Sequence, residues 1–238
     1  MMAAPKRVYV DLDDVICDTG TDLLALLEQH FGRRVDIEDV TTWDLGISLG
    51  LDQQELRHFM ELAHEPQVLQ SHRARPGALE RLAAWNGVGV EVWIVTGRPT
   101  QTYTATRTWL RDRQVAHTRL VFADKYGNYG GLQEMTDGVE AMPMSQIAGL
   151  GFDLAVEDSA AVAGILHDEL EIPVALMDQP WNRKMQESDR LRRCHTWEEV
   201  DRMCGGFLSG DPLSVNSLPD DPQPDDPQPD HPPHGDTP

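Results

Sequence analysis

At 238 residues and 40% hydrophobic composition, the chain is long enough for one substantial domain plus an insertion, and its formal charge of −20 argues against polymeric nucleic acid as a partner, because phosphate contacts need clustered Lys and Arg. Three cysteines, Cys17, Cys194 and Cys204, without C-x-x-C spacing argue against a disulfide framework or a structural zinc site. With no apolar leader and no run approaching ~18 apolar residues, neither secretion nor a membrane partner is expected, and a reducing cytoplasm fits best.

The first predicted strand covers residues 7–10 and runs into Asp11-Leu12-Asp13-Asp14-Val15. Residues i and i+2 of an extended segment share a face, so Asp11 and Asp13 can point at one reacting atom. Their mutual repulsion is relieved most directly by a shared divalent cation, Mg²⁺. Taken alone, a D-x-D is more simply explained as a helix cap or an acidic turn, and the rest of the sequence must decide. Asp14 is expected to face away and support the turn.

Residues 21–73 read mostly as helix. Leu23, Leu24, Leu27 and Phe31 form one stripe, and Asp52 with Glu55 resembles a capping pair before Leu56, Phe59, Met60 and Ala63. The interval is too long for a single crossover, so it is expected to be a helical cap over the catalytic edge, or extra helices on the flank of the sheet.

Beyond it, helix and strand alternate. Helices are expected over residues 76–85 and 100–113 and after Ser159, and strands over residues 90–95, 120–123, 154–156 and 172–177. The alternation indicates an α/β fold with a doubly wound parallel sheet, whose ligands bind beyond the carboxyl ends of the strands. Three of those ends carry chemistry. Thr96-Gly97-Arg98 lets a hydroxyl and a backbone N–H converge on a phosphate oxygen, or is simply a strand exit. Lys125 follows the third run, and Glu157-Asp158 ends the fourth. From Asp211 onward come seven Asp, nine Pro and no Lys or Arg, a composition expected to stay disordered; without it the chain holds 33 acidic and 20 basic residues, a charge of −13.

At these residues the chain resembles the haloacid dehalogenase (HAD) superfamily of phosphohydrolases: Asp11-x-Asp13-x-Val15 matches its first motif, Thr96 its second, Lys125 its third and Glu157-Asp158 its fourth. The wording Asp11-Leu12-Asp13-Asp14-Val15-Ile16-x-Asp18-Thr19, the position of the cap, and Asp178-Gln179-Pro180-Trp181-Asn182-Arg183 resemble the cytosolic 5′(3′)-deoxyribonucleotidase group. The resemblance implies a Rossmann-like core over residues 1–19 and 74–208, a cap over 20–73 and a tail over 209–238. It also implies a Mg²⁺-dependent phosphomonoesterase of small esters such as nucleotides. Asp11 would be the nucleophile and Asp13 the acid and base; Mg²⁺ would be held by Asp11, the Asp13 carbonyl and Asp158, with Glu157 orienting waters. Thr96 and Gly97 would hold phosphoryl oxygens, with Arg98 also on the substrate, and Lys125 would neutralise charge. Lys125 precedes Asp158 by 33 residues with no Lys or Arg between, which implies an excursion over residues 126–143 or a surface lysine. Trp43, Phe59, His58 and Phe31 are candidates to stack on a base, or are core; Asn182 and Arg183 could add polar contacts.

Other chemistries fit less well. The positions six residues after each cysteine are Leu23, Val200 and Gly210, not the Arg of a cysteine phosphatase, and there is no Gly-Lys dipeptide for a phosphate-binding P-loop. A phosphatase of a sugar phosphate and a phosphate-binding pseudoenzyme remain as alternatives.

Overall fold

A computed structural model describes residues 5–127, 139 and 141–209. All of the predicted tail but its first residue lies outside the described residues, as does most of the expected excursion after Lys125. Seven parallel strands form one sheet in the order β4-β3-β2-β1-β5-β6-β7. They are β1 (Arg7–Val10), β2 (Glu91–Thr96), β3 (Arg119–Asp124), β4 (Met142–Pro143), β5 (Leu154–Glu157), β6 (Val174–Met177) and β7 (Leu191–Cys194).

The central strands are apolar throughout because both faces are covered. Val8, Val10, Val92, Ile94, Leu154 and Val156 face one cluster, which the helices α5 (Ala78–Gly87), α6 (Tyr103–Asp112) and α9 (Trp197–Ser209) complete with Leu82, Trp109 and Trp197. Tyr9, Trp93, Val95, Ala155 and Val174 face the other, closed by Val162 and Ala163 of α8 (Ala160–Gly164) beside Ile147 of α7 (Met144–Ile147). Period-two alternation therefore divides each strand between two cores instead of between core and water.

Two strands were not legible as apolar runs. β7 reads Leu-Arg-Arg-Cys, with Arg193 held by Asp178, the residue after β6, at 2.7 Å, so charged residues interrupt its apolar pattern. β4 is only two residues long at the opposite edge. The helix expected over residues 100–113 begins as a short 3₁₀ turn, Thr100–Thr102, before α6. Ser159 caps α8 by accepting from the Val162 N–H.

Between β1 and α5 lies a helical insertion built of α1 (Thr19–Phe31), α2 (Leu45–Ser48), α3 (Gln53–Ala63) and α4 (Pro66–Ser71). Asp52 accepts the N–H groups of Gln54 and Glu55 at 2.8 and 2.9 Å, and Glu55 reaches back to the Asp52 N–H at 3.0 Å, a complete capping box. The insertion has its own core of Leu23, Leu27, Val40, Leu51, Phe59 and Ala63, joined by Trp181 from the loop after β6. That indole fixes the helices above the carboxyl end of the sheet. The order of connections reverses at β1, which lies between β2 and β5, so Asp11 emerges at the topological switch point, where such sheets bind ligands.

Candidate active site

Four strand ends meet here. Asp11 leaves β1, Thr96 and Gly97 leave β2, Lys125 follows β3, and Glu157 with Asp158 leaves β5. Lys125 lies 2.8 Å from Asp11 Oδ1 and 2.9 Å from Glu157 Oε2, and is itself 5% exposed, so it is no surface lysine. Glu157 Oε2 also accepts the Tyr9 hydroxyl at 2.9 Å, and Oε1 accepts the Ser159 N–H at 3.2 Å. Tyr9 was not foreseen as a site residue. A tyrosine inside a strand buried on both faces must find a partner for its hydroxyl, and that was the available signal.

Asp11, Glu157 and Asp158 are buried and can each bring one carboxylate oxygen within 4.8 Å of the others. Burial raises the Asp11 pKa well above the ordinary carboxylate range, with Glu157 adding to the rise and Lys125 opposing it. Burial does the same to Asp158, reinforced by Glu157 and Asp14. Lys125 is held charged by Asp11 and Glu157 against the pull of burial. One lysine cannot balance three carboxylates. Asp158 Oδ2 accepts the Trp181 indole N–H at 2.9 Å and Asp11 Oδ1 accepts the Leu12 N–H at 2.6 Å, while Asp11 Oδ2 and Asp158 Oδ1 take no hydrogen bond among the described residues. The set of hard oxygen donors with surplus negative charge fits a divalent cation such as Mg²⁺.

Asp14 strengthens that fit. Its Oδ1 accepts the Gly20 N–H at 2.8 Å, as expected of a residue supporting the turn, but its Oδ2 is buried without a partner among the described residues. Burial pushes its pKa up to about 7 against the pull of the Gly20 N–H. An acid whose pKa rises on folding costs nothing while it stays protonated in both states, below the ordinary carboxylate range. The cost grows as pH rises and is complete above about 7. Asp14→Asn keeps the Gly20 contact and tolerates the positive φ of 56°. In metal-free protein it is expected to stabilise by about 2 kcal/mol at pH 8 and by little at pH 4. Equal or unfavourable changes in thermal melts at both pH values would contradict the electrostatic assignment.

Asp13 stands apart from this trio. Its carboxylate accepts from Arg98 Nε at 2.9 Å and Nη2 at 2.6 Å, and from the Thr19 hydroxyl at 2.6 Å. Burial would raise its pKa, but the Arg98 charge and hydrogen bonds prevail and hold it at about 2. Arg98 N–H donates to Thr96 Oγ1 at 3.1 Å, and Thr96 is fully buried beneath the turn. A Cβ at Gly97 would come within 3.2 Å of the Lys125 and Tyr126 side chains, so a larger residue there would push them aside by a few tenths of an ångström.

Above these groups opens a cavity of about 560 Å³, with Asp11, Asp13, Gly97 and Arg98 on its floor and Trp43, Leu45, Leu56, Met60, His64 and His72 among its walls. Trp43 is thus where a stacking residue was expected, packed on Trp181 with ring centroids 4.7 Å apart. Phe59 is not: it is fully buried in the core of the insertion, against Phe31 at 6.0 Å. Neither Phe31 nor His58 lines the cavity, and His58 faces Glu61 outside it. Arg183 also falls outside, paired with Glu38 of the insertion and Asp178. Asn182 is fully buried and donates to the Asp158 and Met177 carbonyls at 2.8 and 2.7 Å, so it shapes the turn that carries Asp158 and does not face the cavity. The walls contributed by Leu45, His64 and His72 were not foreseen, because spacing along a helix does not say which face looks inward.

Comparison with known proteins agrees with this geometry. Residues 6–140 match the family described as 5′ nucleotidase, deoxy (pyrimidine), cytosolic type C. "Putative nucleotidase BH1399" of Halalkalibacterium halodurans is 27% identical over 195 residues, covering 82% of this chain and 90% of that protein. "Putative nucleotidase OB0422" of Oceanobacillus iheyensis is 24% identical over 188 residues, covering 78% and 93%. Among solved structures, a haloacid dehalogenase-like hydrolase of Streptococcus pneumoniae superposes with a TM-score of 0.56 at 12% identity, covering 84% of this chain and 98% of that one. The "putative HAD-hydrolase YfnB" of Bacillus subtilis, bound to magnesium, does so with a TM-score of 0.52 at 12% identity, covering 85% and 100%. These two likenesses bear on the fold.

Proposed function

Because the chain belongs to the cytosolic type C 5′-nucleotidase family, and so is a phosphoric monoester hydrolase of HAD type, we propose that it dephosphorylates a nucleoside monophosphate with Mg²⁺ through an aspartyl phosphate. The observation that carries this reading is the floor of the cavity. Asp11 keeps one carboxylate oxygen free beside Lys125 and the Asp158 carboxylate, beneath apolar walls roomy enough for a nucleoside.

In this reading the insertion over residues 20–73 is the cap, and residues 1–19 with 74–208 are the catalytic core. Asp11 Oδ2 attacks phosphorus; the acyl-phosphate bond forms as the bond to the leaving oxygen breaks. Asp13 gives that oxygen a proton, then takes one from the water that cleaves the acyl phosphate. In the free protein Arg98 holds Asp13 ionised. A phosphate dianion on the cavity floor competes for the guanidinium and releases Asp13 to take up the proton it must deliver. The Gly97 N–H and the Thr96 hydroxyl receive the non-transferred oxygens, and Lys125 neutralises charge on nucleophile and phosphate. Asp11, Asp158 and the Asp13 carbonyl would hold Mg²⁺, which supplies the positive charge that lets a carboxylate approach a phosphate dianion. Glu157 fixes Lys125 and orients nearby waters, and Trp43 stacks on the base.

All three cysteines are free and buried, which supports a cytoplasmic location. Phosphate release from a panel of nucleoside monophosphates tests the reading. Turnover is expected with Mg²⁺, loss with EDTA, and recovery when Mg²⁺ is returned in excess. Turnover confined to sugar phosphates would replace the substrate class, and ligand binding without turnover of any ester would overturn the reading.

A further inference from the structure

Tyr126 follows Lys125 and lines the cavity together with Asp11, Asp13, Gly97 and Arg98. Lys125 is 5% exposed and Tyr126 44%, so the chain turns outward here and leaves a ring where a ligand can reach it. Among the described Phe, Trp and Tyr side chains only Trp43 and Tyr126 are exposed, and both line this one cavity. Trp43 comes from the insertion and has no hydroxyl; Tyr126 comes from the catalytic core and has one.

The direction of the ring is fixed by its contact with the turn after β2. Tyr126 Cε2 lies 3.2 Å from where a Cβ on Gly97 would stand. Cε2 is bonded to the carbon that bears the hydroxyl, so the hydroxyl end of the ring borders the Gly97 turn. The charges of Lys125, Glu157, Asp11 and Asp158 all act on that hydroxyl, which places it beside the nucleophile. Partial burial raises its pKa well above the ordinary tyrosine value, with Lys125 opposing and the three carboxylates adding to the rise, so it keeps its proton. Of the other hydroxyls nearby, Tyr9 donates to Glu157 and Thr19 to Asp13. The Tyr126 hydroxyl takes no hydrogen bond among the described residues. We propose that Tyr126 is a further catalytic residue, whose hydroxyl donates a hydrogen bond to an oxygen of the phosphoryl group held between Asp11 and the Gly97 N–H. The proposal rests on phosphoryl transfer at Asp11 in the reading above, and not on the nucleotide part of it. A hydroxyl brings a donor without adding charge, and its bond to a charged oxygen is stronger than one between neutral groups.

The test measures kcat/KM with Mg²⁺ for thymidine 5′-monophosphate and p-nitrophenyl phosphate, in the unaltered full chain, Tyr126→Phe and Tyr126→Leu. Phe removes the hydroxyl and keeps the ring. Loss of a hydrogen bond to a charged oxygen is expected to lower kcat/KM by about 10–100-fold. The fall should be the same for both esters, because the phosphoryl group is what they share. Leu removes hydroxyl and ring and should lose about as much as Phe. Thermal melts run alongside show that the variants fold, and either variant alone decides whether the side chain acts. Unchanged rates in Tyr126→Phe overturn the proposal, and so does a loss confined to one ester, which would put the hydroxyl on the leaving group. A far larger loss in Tyr126→Leu than in Tyr126→Phe would assign the effect to the ring and overturn it as well. If p-nitrophenyl phosphate is hydrolysed and the nucleotide is not, the nucleotide reading fails while the first ester still decides this proposal. If neither ester is hydrolysed, both fail together.

Discussion

Asp11→Asn is expected to lower kcat by about 10⁴-fold or more while the protein stays folded. The carboxamide is nearly isosteric with the carboxylate, can still accept the Leu12 N–H, and remains at the end of β1, whose pairing with β2 and β5 is unaffected. What it loses is the charge and nucleophilicity of the oxygen that would attack phosphorus. Stability should move the other way. Asp11 is buried beside Glu157 and near Asp13, all three repelling, so removing one charge relieves strain in metal-free protein. A melting temperature that is unchanged or raised, together with abolished phosphate release, is the expected pair of results. Hydrolysis that survives the substitution would remove Asp11 from the role of nucleophile.

Lys125→Met is expected to cost both activity and stability. Nζ bridges Asp11 and Glu157 at 2.8 and 2.9 Å and lies 5.2 Å from the centroid of the Tyr9 ring. Removing one partner from a buried ionic network strands the other charges, at a cost of about 3–5 kcal/mol. With EDTA present the loss should approach that range; Mg²⁺ should recover part of it, because a divalent cation answers the same three carboxylates. The rate should fall by about 10²–10³-fold, the scale of losing one electrostatic stabiliser of the transferring group. Lys125→Arg tests geometry separately, since a planar guanidinium cannot place a point charge between two carboxylates as an ammonium does. A rate unaffected by Lys125→Met would show that another cation serves the phosphate.

Five of the seven strands were legible because burial on both faces writes an unbroken apolar run, and the alternation with helices then fixes a parallel sheet. β7 was illegible for a complementary reason: Arg193 is neutralised by Asp178, a pairing visible only once β6 and β7 lie side by side. The strand ends that bear Asp11, Thr96, Lys125 and Glu157-Asp158 could be foreseen to converge, since parallel strands present their carboxyl ends together. The partners on those residues could not. Arg98 reaches Asp13 across 85 positions, Trp181 reaches Asp158 across 23 and His72 finds Asp22 across 50, and no local pattern encodes such contacts. The insertion shows the limit most clearly. Trp43 and Phe59 are both aromatic and both lie in the insertion, but one lines the cavity while the other fills the insertion's own core. Amphipathic spacing identifies a buried face without saying what it is buried against.

The central claim, that phosphate passes through the Asp11 carboxylate, can be read directly on the protein. Enzyme mixed with Mg²⁺ and a nucleoside monophosphate, quenched in acid during turnover and reduced with borohydride, should yield homoserine at position 11 in peptide mass spectra. No such product should form with EDTA or in Asp11→Asn. Homoserine at Asp13 or Asp158 instead, or an unmodified Asp11 under conditions where phosphate is being released, would contradict the account.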